Sequence, residues 1–560
     1  MAENYLVSDR SHCVRNKIIG DKKRHMGKKL AFLAWTLAAS GLIAPAFALE
    51  DSVGKAGINA LRLHQSPYNL TGRKIAIGQV EIGRPGKFGL DKVVSWNPPF
   101  NLGGLFHQNR SASSNTFVDN HAAMVATVMV STDKRLSGVA PGAKLYASAV
   151  GPLKRSGQPQ ECLSTQHVAQ QNGGDVRAIN FSFGESLQRD PRTDAKLDGN
   201  ALLTQCIDWS SRVHDVIYVI AGNQGKGGIP IPTDHFNGIT TAYSTKRRGQ
   251  FTKVDFANLS AKPQGIGRKL IKREINVGPR RAINLIAPGS NIAIYNLNGK
   301  ITRTSGTSFA APHITGSVAL LQEFGDSILA GKRQTDLLKS DRWSMDSRRH
   351  EVMKAVLLNS ADKIQDKGDG LLLGMSRTLL SKNNSTWLNS DAYWNEKIPL
   401  DIQLGTGHLN VFRAYQQFSS GQWSPQSSVA SRGWDYGSLP IYSYKEYVIE
   451  QPLQEGSYAS VTLTWDRLVE LVDENQNQKF DLGENFRDRG LNNLNIYLMS
   501  VDQKYTIDSV CSSTSEVDSV EHIFCRIPKT GRYKIRVDYL QRVNQNTQPY
   551  ALAWWTVPSP

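Results

Sequence analysis

The stretch Gly306-Thr307-Ser308-Phe309-Ala310-Ala311-Pro312-His313 dictates more local structure than any other in this 560-residue chain. Small residues make a turn, and an apolar run from Ile314 to Leu320 follows at helical length. Pro312 suits the first turn of that helix, because its missing N–H has no intrahelical acceptor there. Ser308 then stands at a helix entrance, where free amides and the helix dipole favour a developing negative charge. The small Ala310 and Ala311 leave room for another backbone to approach. Taken alone, Gly-Thr-Ser reads as a simple helix cap. A second marked stretch lies upstream. Val216 to Ala221 is apolar and β-branched and ends in Gly222-Asn223, the pattern of a parallel strand buried on both faces.

Three stretches, in the order acid, histidine, serine, resemble those of the subtilisin-like serine proteases, or subtilases. The serine string around Ser308 is similar to the family's nucleophile motif. Asp119-Asn120-His121-Ala122-Ala123-Met124-Val125-Ala126 resembles its histidine helix, although alanines and a methionine replace the usual Gly, Thr and second His. Gly138-Val139-Ala140-Pro141-Gly142 is close to the turn that follows that helix. Ile75 to Gly83 resembles the first strand, with Glu81 where the family has Asp. Related sedolisins use a glutamate in their triad, so the substitution is compatible with activity.

The resemblance implies roles. Ser308 is the nucleophile, His121 the general base, and Glu81 the acid that accepts the remote imidazole N–H and fixes the tautomer. Asp119 competes for that last role, but its place two residues before His121 reads as a helix cap. Asn223 supplies a side-chain donor to the oxyanion beside the Ser308 N–H, a contact worth about 3–4 kcal/mol in the transition state. Ser182 and Gly184, in Ala178 to Gly184, line the primary specificity pocket and pair with substrate. Ala287-Pro288-Gly289 makes the turn before the serine helix. The likeness runs from about Thr71 to Phe418 and implies an α/β fold of three layers around a mostly parallel sheet.

Length calls for more than this one domain. Residues 1–48 read as a signal peptide: Lys28-Lys29, an apolar run from Leu30 to Ile43, then Ala46-Phe47-Ala48. A retained anchor is the alternative, and residues 1–25 look like a mis-assigned leader ahead of Met26. The peptidase domain is expected over 49–420, a Ser/Gly/Gln-rich linker over 421–444, and an all-β sandwich, jelly-roll-like, over 445–560. Only about 30 residues separate Ala48 from the Glu81 strand, below the roughly 40 that make a self-sufficient core. Folding without a prodomain chaperone, from a mature N-terminus near Leu49, is therefore expected.

The net charge is +17, concentrated between Lys246 and Arg281. That basic stretch reads as an insertion, either a solvated loop or a dock for an acidic surface. No nucleic-acid motif accompanies it, so nucleic acid is not an expected partner. Cys13 falls in the leader; Cys162, Cys206, Cys511 and Cys525 remain, an even number for an oxidising compartment. Within-domain pairing gives Cys162–Cys206 and Cys511–Cys525. Asp473, Asn475, Asn477, Asp481 and Glu484 fall at positions one, three, five, nine and twelve of a calcium loop, with Gln478 where a turn glycine belongs. A plain acidic loop is the alternative to Ca2+.

The expected activity is that of a secreted or periplasmic serine endopeptidase, a monomer with no permanent membrane span, acting on proteins or peptides. A peptide ligase or macrocyclase would share every catalytic residue and differ in excluding water. An inactive protease-fold binding protein would have no reason to keep both Ser308 and Asn223.

Overall fold

The computed structural model describes residues 48–153, 157–193, 195–222, 231–247, 249–254, 280–331 and 342–560. All but the last residue of the signal peptide expected over 1–48, the expected oxyanion donor Asn223 and most of the basic stretch Lys246 to Arg281 lie outside them.

Among the described residues, twelve strands build the first part of the fold: β1 (Ala76–Glu81), β2 (Leu102–His107), β3 (Arg110–Ser111), β4 (Lys144–Ala149), β5 (Val176–Phe181), β6 (Ile217–Ala221), β7 (Ile239–Arg247), β8 (Gln250–Val254), β9 (Leu285–Pro288), β10 (Ile292–Tyr295), β11 (Ile301–Thr304) and β12 (Leu379–Leu380). All but the β10–β11 hairpin join one ten-stranded sheet, ordered β12-β8-β7-β6-β5-β1-β4-β2-β3 with β9 paired to β7. Its central pairs, β4–β1–β5–β6–β7, are parallel. β1 is buried at all six positions, as a strand covered on both faces must be.

Alternation along β1 sorts the two layers. Ile77 joins the core under helices Asn120–Val130 and Ala311–Leu329, whereas Val80 joins the core under Gln158–Ala169 and Leu202–His214. Gln79 and Glu81 share the Ile77 face and so point toward the first helix pair. Gly78 lets the opposite layer close in, since a Cβ there would lie 2.5 Å from Val168 Cγ1.

The C-terminal region is all-β: β13 (Arg432–Pro440), β14 (Ser443–Val448), β15 (Tyr458–Thr464), β16 (Leu468–Val472), β17 (Asn485–Gly490), β18 (Asn493–Ser500), β19 (Cys511–Ser513), β20 (Val520–Arg526), β21 (Tyr533–Gln541) and β22 (Thr547–Trp555). Two antiparallel sheets, β13-β22-β15-β20 and β14-β21-β18-β19, share one core that includes Val461, Leu463, Ile535, Val537 and Trp554. β16 and β17 form a separate hairpin.

The linker expected over 421–444 is corrected. β13 starts inside it and pairs along nine residues with β22. The small residues that looked like flexibility serve close packing: a Cβ on Gly433 would lie 2.6 Å from Trp423 Cδ1. The β13-β22-β15-β20 sheet rests on helix His350–Asn359. Asn359 Oδ1 accepts from Ser460 Oγ at 2.9 Å and Thr462 Oγ1 at 3.0 Å. Gln417 Nε2 donates to the carbonyls of Gly433 at 2.9 Å and Trp554 at 2.7 Å. Trp434, Ala551 and Ala553 belong to the same core as helices Asn120–Val130 and Ala311–Leu329, and both parts form one compact unit. Among the described residues no helix is long and apolar enough to cross a membrane.

Candidate active site

The acid strand and the histidine helix meet at their ends. Asp119, extended at φ −133°, caps helix Asn120–Val130 by accepting the Ala122 N–H on Oδ2 at 2.9 Å. This leaves His121 in the first turn. Gly83 permits the approach, because a Cβ there would fall 2.1 Å from Asp119 Cβ. Glu81 Oε2 lies 2.8 Å from His121 Nδ1, and Glu81 Oε1 accepts from Gln79 Nε2 at 2.9 Å. Glu81 is buried, whereas the His121 side chain is 38% exposed. Burial works against a charged His121 ring, but the Glu81 charge and hydrogen bond, with help from Asp119, outweigh it and raise its pKa above 6.5.

The serine turn is built as the local chemistry requires. Thr307–Phe309 forms one 3-10 turn before helix Ala311–Leu329, with Pro312 in the helix's opening positions. The Gly306 N–H donates to Gly289 O at 2.8 Å, and a Cβ on Gly289 would lie 2.6 Å from Gly306 O. The Ala287-Pro288-Gly289 turn thus underpins the serine. Ser308 Oγ donates to Ser182 O at 3.1 Å, while Ser182 Oγ donates to Ser308 O at 2.8 Å. Asn180 Nδ2 in turn donates to Ser182 Oγ at 2.9 Å. The Phe309 ring centroid lies 5.6 Å from that of His121, which brings the serine turn against the histidine helix. Ser182 is buried beneath Ser308, and Gly184, two residues on, is partly exposed.

Some expectations need changing. Ala310 and Ala311 are fully buried in the core, so their small size serves helix-to-sheet packing and not an approaching backbone. His313, the last residue of the serine string, is also structural. Its Nδ1 faces Phe309 O at 2.7 Å and its Nε2 faces Ser52 Oγ at 3.0 Å, and burial lowers its pKa to about 4. Arg280 and Arg281, which end the basic stretch, are engaged within the fold. Arg280 stacks 3.8 Å over Phe236 and Arg281 reaches Asp391 at 2.6 Å.

Gln79 and the cluster Asp215, His350, Glu351 and Asp466 were not singled out from sequence. Gln79 had a signal: it stands two residues before Glu81, on the same strand face. The cluster had none, since its members come from separate segments. Among the described residues, two sets of side chains bring ligand atoms within 4.8 Å of one another, Glu81–Asp119–His121 and Asp215–His350–Glu351. In the first, Asp119 is occupied as a cap and Glu81 is held by Gln79.

The acidic loop joins β16 to β17, so strands flank it where a calcium hand has helices. Asn475 and Asn477 Nδ2 donate to Asp481 Oδ2 at 2.8 and 2.7 Å. The Glu484 carboxylate accepts the N–H groups of Glu474 and Asp481. Gln478 takes φ 62°, the left-handed conformation that the absent glycine would adopt more cheaply. Phe480 is fully buried against Cys162, Cys206 and Trp209. Disulfides join Cys162 to Cys206 and Cys511 to Cys525. The first spans 44 residues and ties helices Gln158–Ala169 and Leu202–His214, worth about 4 kcal/mol by loop-closure entropy.

The chain is similar to known proteins over part of its length. Residues 102–376 match the Subtilase family of peptidases. The matched range holds His121 and Ser308 but starts after β1, so Glu81 stands outside it. The chain is 28% identical over 217 residues to subtilisin DY of Bacillus licheniformis, covering 37% of this chain and 65% of that protein. It is 24% identical over 235 residues to a thermostable alkaline protease of Halalkalibacterium halodurans, covering 42% and 55%. Each match spans less than two-thirds of the relative's length. Among solved structures, a cold-adapted subtilisin-like serine proteinase aligns at 16% identity and a TM-score of 0.36, over 56% of this chain and 89% of that one.

Proposed function

We propose, from a subtilase-family domain over residues 102–376, that this protein is an exported serine endopeptidase working through an acyl-enzyme on Ser308. The observation that carries the reading is the Glu81–His121 pair, 2.8 Å apart, set against the serine turn through Phe309. His121 Nε2 takes the Ser308 proton as Oγ attacks the scissile carbonyl carbon. The Ser308 N–H and the Asn223 side chain receive the oxyanion. His121 then passes that proton to the departing amine nitrogen, leaving an ester on Ser308. Water, deprotonated by the same imidazole, hydrolyses the ester and returns the proton to Oγ. Glu81 holds Nδ1–H throughout and stabilises the imidazolium. Ser182 and Gly184, beside the nucleophile, pair with the substrate backbone. A serine-directed fluorophosphonate should label the protein at Ser308, and Ser308→Ala should abolish both labelling and peptide hydrolysis. Full hydrolysis by that variant would overturn the assignment.

The acidic loop is part of the same proposal. Asp473, Asn475, Asn477, Asp481 and Glu484 are oxygen donors suited to a hard cation, and Ca2+ there would neutralise their charge and brace the β16–β17 connection. Its seat on the Cys162–Cys206 helices through Phe480 would pass that bracing to the peptidase part.

A further inference from the structure

We propose that Gln79 is a positioning residue that sets the orientation of the Glu81 carboxylate toward His121. This rests on the peptidase reading above. A glutamate carries one more methylene than the aspartate it replaces in this motif, and therefore one more torsion to restrain. The last torsion of a glutamate is broad and roughly twofold, so strand geometry alone does not fix the carboxylate plane. The structure supplies the restraint from within the same strand. Gln79 is buried, two residues before Glu81, on the same face of β1. Its Nε2 donates to Glu81 Oε1 at 2.9 Å and also to Ala122 O at 2.9 Å. Glu81 Oε2, the other oxygen, is left for His121 Nδ1 at 2.8 Å. Each carboxylate oxygen thus has its own donor, and one amide ties the acid strand to the residue directly after the histidine.

A second observation supports a shared polar layer under the site. In the β1–β5 register Gln79 is paired with Asn180, and both side chains reach two residues forward on the same face. Gln79 reaches Glu81 and Asn180 reaches Ser182, whose hydroxyl donates to Ser308 O. The acceptor ends of both amides, Gln79 Oε1 and Asn180 Oδ1, are buried with no hydrogen bond among the described residues. Burying such polar groups is unfavourable unless their donor ends are needed, so an apolar residue at 79 would be the better choice for stability alone.

The test uses Gln79→Met, similar in length and without an N–H. In the parent background it should lower kcat about 10- to 100-fold with KM within about twofold, the effect of small misplacement. In a Glu81→Gln background the same change should alter kcat less than about twofold, because Gln79 acts only through the carboxylate. Equal losses in both backgrounds would overturn the proposal and leave Gln79 a packing residue. A second readout needs no turnover. In Ser308→Ala protein, the His121 Nδ1–H resonance and its titration midpoint should be displaced by Gln79→Met. An unchanged resonance would overturn the proposal, whatever the protein hydrolyses. Absence of Ser308-dependent hydrolysis in the parent, with the resonance still responsive, would instead sink the peptidase reading and leave the positioning intact.

Discussion

Among the described residues, two histidine–carboxylate sites are built on the same first contact. His121 Nδ1 lies 2.8 Å from Glu81, and His350 Nδ1 lies 2.9 Å from Asp215. They part at the other nitrogen. His350 Nε2 faces both Asp466 oxygens at 3.1 Å, Glu351 Oε2 lies 3.1 Å from Nδ1, and the ring is buried between helix His350–Asn359 and the β15–β16 connection. The His121 side chain is partly exposed and lies beside Phe309. A histidine–carboxylate pair is therefore not itself a catalytic feature. Enclosed on both sides it is a structural ion cluster, here joining the α/β part to the β region. In the function proposed above, the pair left partly exposed, beside the serine turn, serves as the base.

The largest expected difference is in turnover. Glu81→Gln should lower kcat by about 10⁴-fold, since an amide can hold the wrong tautomer. Asp215→Asn should leave kcat/KM of the folded protein within about threefold. Should Asp215 and Glu81 prove equally important for rate, the division between the two sites fails.

Next comes stability. His350→Leu leaves Asp215, Glu351 and Asp466 facing one another and should cost about 3–5 kcal/mol in urea unfolding, the range for a broken buried pair. Burial opposes a charged His350 ring, but the surrounding carboxylates outweigh it and hold its pKa well above 6.5. A pKa raised in the folded state gives stability that is complete below about 6.5 and lost as pH climbs through the folded value. The parent's melting temperature should fall on the alkaline side, and His350→Leu should flatten that fall. For His121 the same direction of shift reads out as rate. The base must be neutral, so the acid limb of kcat/KM should lie above pH 6.5 and move down in Glu81→Gln.

Chelation comes third. Calcium bound only by the folded chain adds about 2.7 kcal/mol at a hundredfold excess over Kd. EDTA should lower the melting temperature of the whole protein and leave kcat unaffected below the transition. An unaltered transition would remove Ca2+ from the acidic loop.

The smallest effect is assigned to Asp119. Asn is also a good N-cap, so Asp119→Asn should cost under about 1 kcal/mol of stability and leave most of kcat. An inactive Asp119→Asn beside an active Glu81→Gln would make Asp119 the acid.

Much of this site was legible because its signals are local. The small turn, Pro312 and the apolar run dictate a serine at a helix entrance, and the structure builds that turn and helix. Asp119 reads as a cap from its offset to His121, and the Ala122 N–H occupies it. Alternating β-branched stretches foretold the C-terminal sheets. Composition misled only where small residues had two uses. Gly433 packs under Trp423, and Ala310 and Ala311 pack into the core, although both stretches read as open or yielding.

The sequence alone thus determined which residue types meet which backbone: a serine on a turn, a histidine in a first helical turn, an acid at a strand end. Those follow from propensity, capping and periodicity, which act over a few residues. Only the tertiary structure decided their partners. Gln79 becomes a clamp because β1 brings it under Ala122, 43 residues away. His350 becomes a sealed cluster because Asp215 and Asp466, 135 residues before it and 116 after, converge on one ring. Such contacts depend on how layers stack, and no window of sequence contains both sides of them.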